Sequence, residues 1–138
     1  MRIFYIFKIT PEFARLTKKE PYNLYKTMEQ LYYLTKNNLD LAYRTFETIA
    51  EQFNKNKINL ELFENYRYND YYTKFANVHQ INNYYSDEQS ELTVGNAILI
   101  LKSTKNIPTF LSHIHDGNNL FVCDFSNKDY FWLEKIHA

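Results

Sequence analysis

The hydrophobic pattern begins with residues 2–9, which are almost continuously apolar and aromatic. Such a run is typical of a strand that is covered on both faces. Thr10 comes next and can cap a helix, and Pro11 fits the first helical position because no backbone donor is needed there. The pattern therefore predicts a first strand over 2–9 and a short helix over 11–18.

Apolar positions then recur at helical spacing in two longer stretches, which predict helices over 21–35 and 38–54. Asn37-Asn38 is expected to break the chain between them, and the Asn/Lys-rich stretch 54–57 is expected to be a solvated connection. Residues 59–75 fit a helix until about residue 66, then irregular or extended chain, because their tyrosines could also alternate on a strand.

The second half of the chain favours strands. Residues 75–85 and 91–102 each predict a strand, with a polar turn between them. A helix is expected over 107–115. Two apolar runs at 119–125 and 129–134 flank a polar, turn-prone tip, which predicts a β-hairpin. These arms carry too much apolar area to remain in water, so other elements must cover them.

In this order the elements predict an α/β (α+β) fold. We expect a single domain over 1–138, with a mixed or mostly antiparallel sheet, about four helices and a C-terminal β-hairpin. The length of 138 residues fits one domain, and 45% hydrophobic content with 13 Tyr and 11 Phe argues against disorder.

The charge balance excludes several classes of partner. With a net charge of +0 the chain lacks the basic field that drives nucleic-acid or anionic-membrane binding, so neither is expected as a direct partner. No stretch reaches the ~18–20 apolar residues of a membrane span, and a cytoplasmic location is expected. The single cysteine, Cys123, lies in an apolar run and is expected to be a buried core residue.

Candidate catalytic or metal-binding groups are weak in this sequence. His113, His115 and Asp116 are close in sequence, but residues two apart on a helix do not share a face. Cys123 could be joined with His113 and Asp124 as a nucleophile system, but no glycine-rich elbow accompanies them. We therefore expect no enzyme activity, no metal, no cofactor and no small-molecule substrate, and this absence favours a binding role.

The tyrosine-rich stretch 66–85 leaves alternatives open. It could stack the bases of a single-stranded nucleic acid, but it carries few cations and several acidic residues. Aromatic packing with scattered exposed tyrosines is the simpler interpretation. An exposed patch of this kind would suit protein recognition better.

Three blocks of sequence resemble the SirA family, the sporulation inhibitor of replication proteins of low-GC Gram-positive bacteria. The first block is the aromatic strand 2–9 followed by Glu12-Phe13-Ala14. The second is Glu29-Gln30-Leu31-Tyr32-Tyr33-Leu34-Thr35. The third is Asp124-Phe125-Ser126-Asn127-Lys128-Asp129-Tyr130-Phe131-Trp132-Leu133, which is similar to the family's Asp-Phe-x-x-Lys-x-Tyr-x-Trp-Leu.

The resemblance implies a non-enzymatic regulator that binds the N-terminal domain of the replication initiator DnaA and blocks its assembly at the origin. The implied contact surface is centred on the helix after the first strand and on the neighbouring glutamine-bearing helix, which gives Phe13 and Gln30 as contact residues. The family can place an aromatic residue one turn after the first, and here that position is Thr17, which removes an anchor. From the residues alone, Phe13 is more typical of a core than of a contact.

Two rival functions follow from the same sequence. The architecture could be acyltransferase-like, but the turn before the 107–115 helix has no glycine to bring the backbone close to a pyrophosphate. The chain could also be a protein-interaction module on such a fold with a different partner.

Overall fold

The computed structural model describes residues 1–34 and 39–134, with side chains from residue 44 onward in the second range. The predicted break at Asn37-Asn38 lies outside them. The helices are α1 (Pro11–Thr17), α2 (Pro21–Leu34), α3 (Leu39–Ile49), α4 (Lys55–Tyr66) and a 3₁₀ helix (Thr109–His113). The strands are β1 (Arg2–Ile9), β2 (Ala50–Glu51), β3 (Tyr72–Phe75), β4 (Val78–Asn83), β5 (Glu88–Val94), β6 (Leu99–Ser103), β7 (Leu120–Asp124) and β8 (Asp129–Trp132).

The strands form one antiparallel sheet. Its order is β3-β4-β5-β6-β1-β7-β8, and β2 pairs with the end of β1. The strand β1 lies between β6 and β7, and its continuous apolar run fits the two core clusters that cover its opposite faces. Within the described ranges of the chain, the predicted α+β fold with a mostly antiparallel sheet, about four helices and a C-terminal hairpin is therefore confirmed.

The sheet has two differently covered faces, because successive side chains of a strand point to opposite sides. On the side that we call the α4 face, Phe4 and Ile6 of β1 pack with α4 and the 3₁₀ helix. On the side that we call the α2 face, Phe7 and Ile9 of β1 pack with α1, α2 and α3, together with Phe121 of the hairpin.

The start of α1 follows the predicted local signals. Thr10 is the N-cap residue, and its hydroxyl oxygen accepts a hydrogen bond from Phe13 N at 3.4 Å. Pro11 is the first helical residue. Both observations confirm the predicted cap.

The third helix is shorter than the pattern predicts. It ends at Ile49, because Ala50 and Glu51 pair with Ile9 and Lys8 of β1 as a short strand. The stretch 54–57 is largely exposed, as expected, but it starts a helix instead of forming a connection. The Oδ1 atom of Asn54 accepts a hydrogen bond from Lys57 N at 3.3 Å, and this cap starts α4.

The strand predicted over 91–102 is two strands, β5 and β6, that pair with each other. Gly95 makes the turn possible, since a Cβ atom there would lie 2.7 Å from the carbonyl oxygen of Ile98. The strand predicted over 75–85 is also divided. Phe75 ends β3, and Ala76, at φ 53°, turns the chain into β4.

The helix predicted over 107–115 is a 3₁₀ helix of five residues, Thr109–His113. Its buried Phe110 and Leu111 pack into the α4-face core. The C-terminal hairpin is confirmed, and Lys128 at φ 54° closes its turn.

Candidate functional site

The helix α1 has a clearly buried side and a clearly exposed side. Ala14 and Thr17 are buried, and Phe13 is partly buried against the α2-face core. Thr17 is only 8% exposed, and its hydroxyl donates a hydrogen bond to the carbonyl oxygen of Phe13 at 2.8 Å. Of the two expected α1 residues, the structure therefore places Phe13 at the edge of the core and Thr17 beneath it.

Gln30 lies at the centre of the exposed side of α2. The buried residues Leu24, Tyr25, Met28 and Leu31 form the opposite side of this helix. At about 100° per residue, the exposed residues form one stripe around Gln30. This stripe consists of Tyr22, Asn23, Lys26, Gln30 and Tyr33.

The corner between α1 and α2 is fixed by hydrogen bonds. Glu20 N donates to the carbonyl oxygen of Thr17 at 3.0 Å, and Asn23 N donates to the carbonyl oxygen of Glu20 at 3.1 Å. The Asn23 amide also donates to the Glu20 carboxylate at 2.6 Å. Pro21, the first residue of α2, has a backbone that suits a helix start. The two helices therefore have a defined relative orientation.

A layer of aromatic rings positions α2 on the C-terminal hairpin. The ring of Tyr25 stacks on Tyr130 with 4.8 Å between centroids, and the ring of Tyr32 stacks on Phe125 at the same distance. Tyr5 of β1 lies 5.3 Å from Tyr32. The strand, the helix and the hairpin that carry the sequence resemblance thus meet in one packed layer.

Charged groups at the edge of this layer are also paired. Burial raises the pKa of Tyr25, whose hydroxyl donates to the Glu29 carboxylate at 3.0 Å. Lys26 Nζ lies 3.2 Å from Glu29, and its hydrogen bond lowers the pKa of that carboxyl group. Glu29 is therefore held as an anion beside the exposed stripe.

Three exposed apolar residues on α1 and α2 were not predicted from the sequence as contact residues. They are Leu16, which is 75% exposed, Tyr22, which is 53% exposed, and Tyr33. Helical geometry could have indicated Leu16. From Phe13, Thr17 lies about 40° toward the core and Leu16 about 60° the other way. We call Phe13, Leu16, Tyr22, Gln30 and Tyr33 the α1–α2 surface.

The other candidate groups do not converge. His113 Nδ1 lies 2.6 Å from the Tyr66 hydroxyl, whereas Asp116 is 3.2 Å from Lys8 Nζ and accepts from Asn54 N at 2.7 Å. Among residues 1–34 and 39–134, no group of three or more His, Cys, Asp or Glu side chains could hold a metal ion.

The nucleophile system of Cys123, His113 and Asp124 is not assembled either. Cys123 is fully buried on the α2 face, and burial raises the pKa of its thiol. Asp124 is the next residue of the strand, and it accepts a hydrogen bond from Arg2 at 2.8 Å on the opposite face. Cys123 is therefore a core residue, as predicted.

The tyrosine-rich stretch 66–85 is divided between the core and the surface. Tyr66 and Tyr72 are buried with 5.4 Å between their ring centroids, and the Tyr72 hydroxyl lies 2.7 Å from His79 Nδ1. Tyr84 and Tyr85 are exposed in the turn after β4. Buried packing together with scattered exposed tyrosines fits the simpler interpretation of this stretch.

Comparisons with known proteins agree with the sequence resemblance. None of the helices that the structure describes is long and apolar enough to cross a membrane. A search of curated proteins finds no match. The family model described as sporulation inhibitor of replication protein SirA matches residues 2–137. Since that match spans nearly the whole chain, the chain belongs to the SirA family of sporulation inhibitors of replication.

Proposed function

We propose that this protein restrains chromosome replication by binding the N-terminal domain of the initiator DnaA through the α1–α2 surface. Membership of a family of replication inhibitors supports a regulatory role. The observation that carries the choice of surface is the position of Gln30, at the centre of the exposed side of a helix that is fixed from below by stacked aromatic rings. A rigid helix face needs little ordering when a partner binds.

Phe13 and Gln30 have different roles in this proposal. Phe13 is partly buried, so its exposed edge would enter an apolar groove of the partner while its other edge stays on the core. Gln30 is exposed and would satisfy polar groups at the rim of that groove. Thr17 supports the surface from beneath, since its hydroxyl donates a hydrogen bond to the carbonyl oxygen of Phe13.

Inhibition would be steric. A partner domain that is covered by the α1–α2 surface cannot use the same face for self-association or for a helper protein. No bond-making chemistry is needed, because occupancy alone blocks assembly at the origin. The strength of inhibition is then set by affinity and by the amount of the protein.

Calorimetric titration with the isolated N-terminal domain of the same host's DnaA tests this proposal. We expect micromolar or tighter binding. Phe13→Ala should weaken it about thirtyfold, which corresponds to about 2 kcal/mol. Gln30→Ala should weaken it about fivefold, since it removes a hydrogen bond at the rim.

Matched variants control for the substitutions themselves. Phe63→Ala changes a half-exposed phenylalanine, 39% exposed, on α4 at the other side of the sheet. Gln89→Ala changes an exposed glutamine on β5. Both should bind as the wild type does. Absence of binding by the folded wild-type protein at high concentration would reject DnaA as the partner, and an unbiased pull-down would then identify another.

A further inference from the structure

Leu16 is the most exposed large apolar residue of α1. It is 75% exposed, whereas its neighbours Ala14 and Thr17 are buried. It lies about 60° around the helix from Phe13, on the side away from the core. Phe13 and Leu16 are also one turn apart, so their side chains are neighbours on the helix surface.

Thr17 cannot serve as an apolar contact in this arrangement. Its side chain is almost fully buried, and its hydroxyl is engaged with the Phe13 carbonyl at 2.8 Å. A larger residue at position 17 would have to displace the core or turn outward. The exposed apolar area of α1 is therefore at Leu16 and at the edge of Phe13.

Tyr22 is a further exposed apolar side chain, in the first turn of α2 beyond the corner between the helices. It is 53% exposed in the first turn of α2, with its ring 6.3 Å from Tyr130 and 5.7 Å from Lys26 Nζ. The hydrogen bonds from Glu20 to Thr17 and from Asn23 to Glu20 fix the chain between Leu16 and Tyr22. Tyr22 therefore has a fixed place at the start of α2, next to the hairpin.

The residues around Leu16 indicate what kind of partner fits. The exposed Glu12, Arg15, Lys19 and Glu20 surround it and balance to zero charge. An anionic membrane would favour a basic surround. A small apolar centre with a polar rim of both signs is typical of a contact with another folded protein.

We infer that Leu16 supplies the second apolar anchor of the α1–α2 surface and takes the place of an aromatic residue at position 17. This inference rests on the proposed function, and the partner is the same N-terminal domain of DnaA. Leu16 fills an apolar depression beside the one that receives Phe13. The anchor position has moved by one residue along α1, toward the exposed side.

The test compares two exposed leucines on two helices by calorimetric titration. Leu16→Ala should weaken binding to the DnaA domain about tenfold. Leu60→Ala is the matched control, since Leu60 is 57% exposed on α4 at the other side of the sheet, and it should not change the affinity. Leu16→Met should retain most of the affinity, and Leu16→Glu should abolish binding. Circular dichroism should show all four variants folded, because neither leucine is part of the core.

The outcomes separate this inference from the proposed function. If Phe13→Ala loses binding while Leu16→Ala binds as the wild type does, Leu16 is not an anchor and the proposed function stands. Equal weakening by Leu16→Ala and Leu60→Ala would also overturn the inference, because it would indicate a nonspecific apolar effect. If the wild type does not bind the DnaA domain at all, the proposed function and the inference about Leu16 are both wrong.

Discussion

The two faces of the sheet hold their helices by different means. On the α4 face the buried groups His79, Glu88 and Asp124 are each hydrogen-bonded to other parts of the chain. On the α2 face the contacts are mainly between rings, such as Phe121 and Trp132 at 4.9 Å. Hydrogen bonds demand specific partners, whereas ring packing tolerates changes of shape more readily.

This difference bears on where function can lie. Glu88 alone accepts hydrogen bonds from Ser90 Oγ at 2.6 Å and from the backbone and hydroxyl of Thr109 at 3.1 and 2.5 Å. Such a network fixes the turn between β6 and the 3₁₀ helix. Among the side chains that the structure describes, the α2 face uses few buried polar groups, so the outer sides of α1 and α2 can carry a binding surface without disturbing the core. We therefore expect changes on the α4 face to affect stability and changes on the α1–α2 surface to affect binding.

The largest expected effect on stability concerns the two aspartates that Arg2 bridges. Arg2 lies 2.8 Å from Asp124, whose side chain is 1% exposed, and 2.7 Å from Asp129, whose side chain is 48% exposed. Asp124→Asn should lower the free energy of unfolding by about 3 kcal/mol, because the buried partner of an ion pair is lost. Asp129→Asn should lower it by less than about 1 kcal/mol.

Denaturant unfolding of the two variants measures this difference. The two variants are matched, because each changes an aspartate that pairs with Arg2 into asparagine. Burial opposes ionisation of Asp124, but the hydrogen bonds from Asn127 and Arg2 outweigh it and lower the pKa of that carboxyl group. Its stabilising contribution is therefore present above its unfolded pKa and is lost as the pH falls through its folded pKa. Equal losses in the two variants would show that burial does not decide the strength of this cluster.

A second effect is the pH dependence of the α4 face. His79 is fully buried, and burial lowers its pKa from 6.5 to about 4. Between these values the unfolded chain binds a proton that the folded protein does not, so stability is complete above pH 6.5 and falls as the pH drops toward 4. At pH 5 the loss should be about 2 kcal/mol relative to pH 7.5.

Unfolding curves at pH 7.5, 6.0 and 5.0 measure this loss. His79→Gln removes the titrating group, so its stability should change much less over the same range. The affinity for the DnaA domain should not follow the His79 titration, because His79 is on the other face. A loss of stability that is the same in both proteins would assign the pH dependence to other groups.

Much of the fold follows from local signals. The run of β1, the Thr10 cap with Pro11 and the polar tip of the hairpin are all readable from neighbouring residues. The misplaced elements depend on distant parts of the chain. Ala50 and Glu51 continue a helical pattern in sequence, but pairing with β1 makes them a strand. The turn at Gly95 divides the stretch 91–102, for which the sequence pattern predicts one strand.

The candidate site was predictable to a smaller extent. Phe13 and Gln30 come from the family resemblance, and the sequence does not show that Gln30 is centred on an exposed face. The burial of Thr17 depends on how α1 is rotated against the core, which is set by contacts with α2 and the sheet. The same rotation exposes Leu16. Once one buried residue of α1 is known, the helical period places the others.

The smallest expected effect is on the α2 face and concerns a single hydrogen-bond donor. Within the part of the chain that the structure describes, the buried Trp132 Nε1 has no hydrogen-bond partner. Trp132→Phe removes this donor and retains a ring against Phe121, so the lost volume and the relieved polar group offset each other. The free energy of unfolding should change by less than about 1 kcal/mol.

The matched change on the α4 face is Tyr72→Phe, which also removes one buried donor. The Nε2–H group of His79 donates to Asn59 Oδ1 at 2.8 Å, so His79 Nδ1 accepts the Tyr72 hydroxyl at 2.7 Å. Without that hydroxyl the buried Nδ1 atom has lost its partner, and the loss should be about 1.5 kcal/mol. Denaturant unfolding of both variants would decide the comparison. A loss for Trp132→Phe as large as that for Tyr72→Phe would mean that ring packing on the α2 face is as exacting as the hydrogen bonds on the α4 face.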